Sequence, residues 1–286
     1  MAAAQVLSVE ELKEKARVIR KHIIVMTTLA GSGHPTTALS MVEVLVALYF
    51  GGILRYDPTN PHWEDRDRFI LSKGHGCPAL YAVLAEAGYF PVEQLKTLRQ
   101  LGSPLEGHPN MRALPGIEAS TGSLGQGLSI GLGHALAARL DGRDYHVFVM
   151  VGDGECDEGQ VWEAAMAAKH FKVDNLTCIV DHNKYQQTGC VFDVMDYRPF
   201  ADKWRAFGWH VQEIDGHDIE QVLNALKLAK GKPEKGTPTV IIAHTVKGKG
   251  VSFLEHRSDM HGRAVKIDEA KRALEELGWS WEEELG

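Results

Sequence analysis

Cysteine is scarce in this chain: four among 286 residues, at Cys77, Cys156, Cys178 and Cys190, with no C-x-x-C spacing. That excludes a disulfide framework and a cysteine-rich metal site, and makes free thiols in a reducing cytoplasm the expectation. Basic residues are not in excess either. Lys and Arg number 31 against 38 Asp and Glu, a net charge of −7, and no basic patch of the kind a nucleic-acid partner requires stands out. Long apolar runs are missing. The longest, residues 41–54, carries Glu43 and is too short to cross a bilayer, so no membrane association is expected. Met1-Ala2-Ala3-Ala4 leads into charged residues without the basic-then-apolar pattern of a secretory leader. Nucleotide-binding signatures are also lacking. The Gly-rich stretch TGSLGQG at 121–127 has neither dinucleotide GxGxxG spacing nor the terminal Lys-Ser/Thr of a P-loop.

What is present is an ordinary globular balance, 44% apolar and 24% charged, in a length that suits one large α/β domain. Ser8-Val9-Glu10-Glu11 has capping-box spacing, and Leu12, Ala16, Ile19, Ile23 and Met26 follow at helical intervals. A first helix to about Leu29 is expected, stopped by Gly31-Ser32-Gly33-His34-Pro35, then a second over 38–50. Strands are expected at 68–72, 145–151, 176–180, 209–214 and 239–243, and helices at 124–140, 158–171 and 219–230. Near-continuous apolar strands alternating with helices predict an α/β fold with a doubly wound, mostly parallel sheet flanked by helices. Such sheets bind ligands at the carboxyl ends of their strands. Four polar motifs fall there: SKGHG after the first strand, GDG after the second, DHNKYQ after the third and HTVKGKG after the last.

The sharpest chemical signal is Gly152-Asp153-Gly154 followed about thirty residues later by Asn183. GDG by itself is a common turn. An Asp and an Asn at the tips of adjacent parallel strands, however, offer hard oxygen ligands side by side. That suits Mg²⁺ or Ca²⁺, which leave positions open for phosphate oxygens. Gly152 and Gly154 let the backbone approach a phosphorylated ligand, and the N–H groups of Gly154 and the next helix would donate to it.

The segment from Gly152 through Asn183 resembles the thiamine diphosphate fingerprint. SGHP at 32–35, LSKGHG at 71–76, EGHP at 106–109, TGSLGQG at 121–127 and the HTVKGKG and MHG segments near the end resemble transketolase, in the transketolase order. The resemblance covers nearly the whole chain, but only the N-terminal half of a transketolase. It implies metal ligation by Asp153, Asn183 and the backbone carbonyl of Tyr185. It places Gly122 and Leu124 near the aminopyrimidine, Gln187 against the thiazolium, Lys247 on the diphosphate, and Glu158 in support of the cofactor site near a subunit interface. His34, His75, His108 and His261 match the family's reactive histidines, with His75 and His261 also touching the cofactor. Two-carbon ketol transfer needs proton movements at hydroxyl and carbonyl oxygens, which suits imidazoles titrating near neutrality. The remaining histidines, His182 and His244 among them, read as structural or surface residues.

Residues 1–286 are thus expected to form a single diphosphate-binding domain, with the family's pyrimidine-binding and C-terminal domains on a separate, complementary chain in an α2β2 assembly. Sugar phosphates are the implied substrates. Three alternatives stand beside this reading: a metal-dependent phosphohydrolase using Asp153, a ketolase acting on a specialised sugar, and a non-catalytic thiamine diphosphate-binding or regulatory subunit.

Overall fold

The computed structural model describes residues 6–285; the Met1–Ala4 stretch read above as carrying no leader lies outside the described residues. The chain opens with α1 (Val9–Ala30). Ser8 caps it, its hydroxyl accepting from Glu11 N at 3.3 Å while Glu11 Oε2 accepts from Ser8 N at 2.8 Å, and Gly31 ends it in the left-handed conformation. The expected second helix is two. α2 (Pro35–Ser40) starts with proline at its first position, and α3 (Val42–Phe50) resumes after a break at Met41, φ −103°.

β1 (Arg68–Leu71), α4 (Cys77–Glu86), α5 (Gln126–Leu140), β2 (Val147–Gly152), α6 (Gly159–His170), β3 (Leu176–His182), α7 (Val191–Val194) and α8 (Phe200–Ala206) follow. The chain continues through β4 (His210–Asp215), α9 (Ile219–Lys230), β5 (Thr239–His244), α10 (Ile267–Leu277) and α11 (Trp281–Leu285). All five strands pair in parallel in the order β1-β2-β3-β5-β4. The doubly wound α/β expectation therefore holds.

Because successive strand side chains alternate faces, the sheet divides two cores. Phe148, Met150, Ile179 and Ile241 face a layer of α1, α3, α4, α9 and α10. Val147, Val149, Cys178, Val180 and Ile242 face α5, α6 and α8. The chain leaves β2 and β3 toward the second layer, through α6 and α8. It leaves β1 and β5 toward the first, through α4 and α10. That divergence opens a crevice above the strand carboxyl ends. Among the described residues no helix is long and apolar enough to cross a membrane.

α5 lies close on β2 because Gly131 faces it. A Cβ there would sit 2.3 Å from Val149 Cγ2. Val149 is fully buried in a central strand and cannot step aside. Gly131→Ala should therefore lower stability by about 1–3 kcal/mol, despite alanine's better helix propensity. Denaturant unfolding of the variant beside the wild-type chain checks this.

Candidate functional site

Asp153 and Asn183 sit immediately beyond β2 and β3, which are hydrogen-bonded neighbours ending in register at Gly152 and Asp181. Asp153 is 1% exposed. Its carboxylate accepts from Gly154 N at 2.8 Å and from Lys184 N at 2.5 Å. Burial, and then the neighbouring Asp181, push the Asp153 carboxyl up to about 7. A divalent cation opposite it would supply the missing positive charge. Asn183 Oδ1 accepts from Tyr185 N at 3.0 Å, and the left-handed Lys184 between them, φ 69°, folds Asn183 and Tyr185 toward the same cleft. Among the described residues no three His, Cys, Asp or Glu side chains converge as a metal site. The expected ligands Asp153, Asn183 and Tyr185 all line the one cleft.

The cleft measures about 290 Å³ and is lined by His34, His75, His108 and His261 together with Gly122, Leu124, Asp153, Gly154, Asn183, Tyr185 and Gln187. His34, His75 and His261 form a triangle with ring centroids 5.2, 5.3 and 5.5 Å apart. His34 Nδ1 is buried without a hydrogen-bond partner. Gly122, φ +150°, lets the backbone pass His108, whose Cδ2 would lie 3.0 Å from a Cβ there.

The surroundings shift the imidazoles below the near-neutral range that the sequence suggested. Burial is the main cause in each. It brings His34 to about 4, with Arg99 as the next contribution, and His261 to about 3, with Lys247 next. His75 is held well below its ordinary value by burial and Lys73, and His108 is lowered by burial and Arg99. The lowering favours the neutral ring, which offers one N–H donor and one lone pair.

Two expected site residues lie apart from the cleft wall. Lys247 is fully buried behind His261, its Nζ 3.3 Å from His261 Nδ1. Burial, then Lys73, lowers its ammonium to about 7. Glu158 is exposed at the N-cap of α6, outside the cleft. The buried acid of this segment is Glu155, which accepts from Ser72 Oγ, from Gly125 N at 2.9 Å and from Gly152 N at 2.9 Å. The phosphate-donor expectation also changes in detail. Gly154 N is bonded to Asp153, and a 3₁₀ turn, Gly154–Asp157, separates it from α6. Cys156 is buried, and burial raises its thiol well above the ordinary value. All four cysteines are free. His182 and His244 pair through their Nδ1 atoms at 3.0 Å on adjacent strands, outside the cleft.

Sequence inspection missed the charge that holds the floor together. Lys73 and Asp181, each 1% exposed, form an ion pair. Asp181 also accepts from Ser40 Oγ at 2.6 Å, Asn183 Nδ2 at 3.1 Å and Thr245 Oγ1, while Lys73 donates to Thr37 O at 3.3 Å. Burial alone would raise the Asp181 carboxyl, but Lys73 and these donors hold it below the ordinary value. The only sequence hint was position, Lys73 after β1 and Asp181 at the end of the apolar run in β3.

Fold and cleft together define an α/β domain with an oxygen- and imidazole-lined site at the carboxyl ends of a parallel sheet. Residues 12–285 match the family described as transketolase, thiamine diphosphate binding domain, and the chain belongs to that family. It is 46% identical over 267 residues to the 6-deoxy-6-sulfo-D-fructose transketolase subunit SqwG of Clostridium sp. (strain MSTE9), covering 93% of this chain and 96% of that protein. It is 43% identical over 272 residues to one of the subunits of the apulose-4-phosphate transketolase of Actinobacillus succinogenes, covering 95% and 97%. Among solved structures, the transketolase of Campylobacter jejuni superposes with a TM-score of 0.89 at 33% identity, covering 96% of this chain and 44% of that one. The chain thus spans less than half of that solved transketolase.

Breaking the buried pair from one side should be costly. Asp181→Ala strands the Lys73 ammonium and should lose about 3–5 kcal/mol of stability. Adding Lys73→Met should recover much of that loss. Denaturant midpoints of the two single variants and the double variant measure the coupling.

Proposed function

We propose that this chain is the diphosphate-binding subunit of a two-chain transketolase, which moves a two-carbon ketol unit from a ketose phosphate to an aldose phosphate. The observation that carries the reading is the convergence of Asp153 and Asn183 with the His34–His75–His261 triangle in one cleft. Support for two chains comes from the subunit relatives, which this chain matches over nearly their whole length. The reading includes Mg²⁺ or Ca²⁺ beside thiamine diphosphate, a complementary subunit carrying the pyrimidine-binding domain, an α2β2 assembly and a cytoplasmic location. Residues 1–286 are then one diphosphate-binding domain. The two subunit relatives are named for unusual sugars, one a sulfonated fructose and one apulose 4-phosphate, which gives the specialised-ketolase alternative a specific observation.

The residues present fit the cofactor. Asp153, Asn183 and the Tyr185 carbonyl would hold the cation, Gly152 and Gly154 would leave room for the diphosphate without donating to it, and the buried Lys247 behind His261 would favour it by charge. Gly122, Leu124 and Gln187 would flank the ring system. When bound, thiamine diphosphate supplies the carbon nucleophile and the electron sink for carbon–carbon cleavage. This chain's own part is to manage protons and exclude water. His34, His75 and His261, neutral and packed together, present N–H groups and lone pairs to substrate oxygens without a charge to repel the cation. His108, more exposed at the mouth, is placed to hydrogen-bond or protonate near the donor's hydroxyls. Glu158, exposed on α6, would act only across a subunit contact. Exposed Leu140, Met166 and Phe171 on or next to α5 and α6 leave apolar area there for such a contact.

Asp153→Ala should abolish metal-dependent thiamine diphosphate binding, because the carboxylate is the only anionic ligand in the set. Calorimetry of the assembled complex with and without Mg²⁺ tests it, and unchanged affinity would sink the metal assignment. His108→Ala should slow ketol transfer about a hundredfold or more with little loss of cofactor affinity. Steady-state rates with a ketose phosphate donor decide this, and a wild-type rate would remove His108 from the mechanism.

A further inference from the structure

Arg99 is an exposed arginine beside the loops that carry His34 and His108. Its backbone is held in the left-handed region, φ 58°, by Arg99 N donating to Leu105 O at 2.8 Å. A non-glycine residue in that conformation carries a cost, so the local fold is holding it there. The side chain reaches two separate loops. Nη1 donates to Ser32 Oγ at 2.7 Å, two residues before His34, and Nη2 donates to Gly107 O at 3.3 Å, one residue before His108. The guanidinium lies flat on Gly107, where a Cβ would stand 3.0 Å from its Cζ and Nε. From the other side the same loop is gripped by α4. Cys77 Sγ donates to Gly107 O at 3.2 Å, and Tyr81 Oη donates to Glu106 O and to His108 O, each at 3.0 Å. No carboxylate pairs with Arg99 among the described residues.

We propose that Arg99 is a positioning residue that bridges the His34 and His108 loops and so fixes the distance and facing of these two imidazoles across the cleft. The proposal rests on the ketol-transfer reading for its consequence, but not for its geometry. The guanidinium is the one charged group whose field lowers both rings, second only to burial in each. The other groups facing His34 are His108, Lys247 and Lys73, with the His75 and His261 rings packed on it. Beside His108, the Glu106 carboxylate is engaged by Asn110 Nδ2 at 2.9 Å. A single unpaired cation therefore holds two loops and adds to burial in lowering both rings.

The test uses two variants that leave the left-handed backbone with a side chain of similar length. Arg99→Gln removes the charge and the bridge, and Arg99→Lys keeps the charge with a single donor head. Ring titrations are followed by NMR on the full chain with labelled histidine, assigned through His34→Gln and His108→Gln. In Arg99→Gln, both rings should titrate at higher pH than in the wild type. The acid limb of kcat/KM of the assembled enzyme should move upward with them, since a neutral ring that protonates more easily is lost sooner as pH falls. At the pH optimum kcat should fall about tenfold or more from misplacement of the rings, with the KM for thiamine diphosphate unchanged. Arg99→Lys should restore the ring titrations and part of kcat. Wild-type ring titrations in Arg99→Gln would overturn the proposal, whether or not the rate falls, and so would a wild-type kcat. If the wild-type complex transfers no ketol unit, the functional reading fails while the ring titrations still decide the place of Arg99.

Discussion

The Lys73–Asp181 ion pair is the interaction on which the site depends. Two charges removed from water cost several kcal/mol each, and their attraction repays this only when the remaining valences are satisfied. Here they are, by Ser40, Thr245 and Asn183 on the carboxylate and by Thr37 O on the ammonium. Those partners come from α2, from beyond β3 and from beyond β5, while Lys73 itself follows β1. One pair thus locks the exits of three strands and the helix that begins after His34. It also sets the field above it. Lys73 contributes to lowering His34, His75, His261 and Lys247, and Asp181 contributes to raising Asp153.

Much of the frame was legible because its signals are local. The Ser8 capping box, the helical spacing along α1, and the apolar runs of β2 and β3 depend only on near neighbours in sequence. The misses have physical reasons too. α4 is buried on nearly all sides, so CPALYAVLAE shows no polar face from which to read a period. The break at Met41 lies inside an apolar stretch whose composition gives no stop signal. α10 was readable: Ala270, Ala273, Leu274 and Leu277 are spaced i, i+3, i+4 and i+7 and are buried.

The site divides the same way. Motifs at strand ends were found because parallel-sheet topology brings strand carboxyl ends together whatever the loops do. Pairing across the fold was not, since Lys73 and Asp181 are 108 residues apart in sequence. Which of two acids three residues apart turns inward, Glu155 or Glu158, was likewise not readable. A 3₁₀ turn after Asp153 rotates Glu155 inward onto Ser72, Gly125 and Gly152 and leaves Glu158 at the surface. Histidine protonation was misjudged for a related reason. Four separate imidazoles in sequence suggest groups near their ordinary value, but three of them packed within 5.5 Å of one another beside buried lysines cannot hold extra protons.

Charge complementarity is the physical argument for the proposed pairing of a metal with a diphosphate. Asp153 is a buried carboxylate whose hydrogen-bond donors are backbone N–H groups, and its proton affinity rises for want of a cation. Lys247 is a buried ammonium whose side chain contacts the His261 imidazole, and burial, then Lys73, lowers its proton affinity. A lone anion would be repelled by Asp153 as it ionised, and a lone cation by Lys73 and Lys247. In the proposed reading, a divalent cation held by Asp153 together with a diphosphate would satisfy both deficits at once. The neutral histidines add no charge to that balance, which leaves their donors and lone pairs free to act on the reacting sugar.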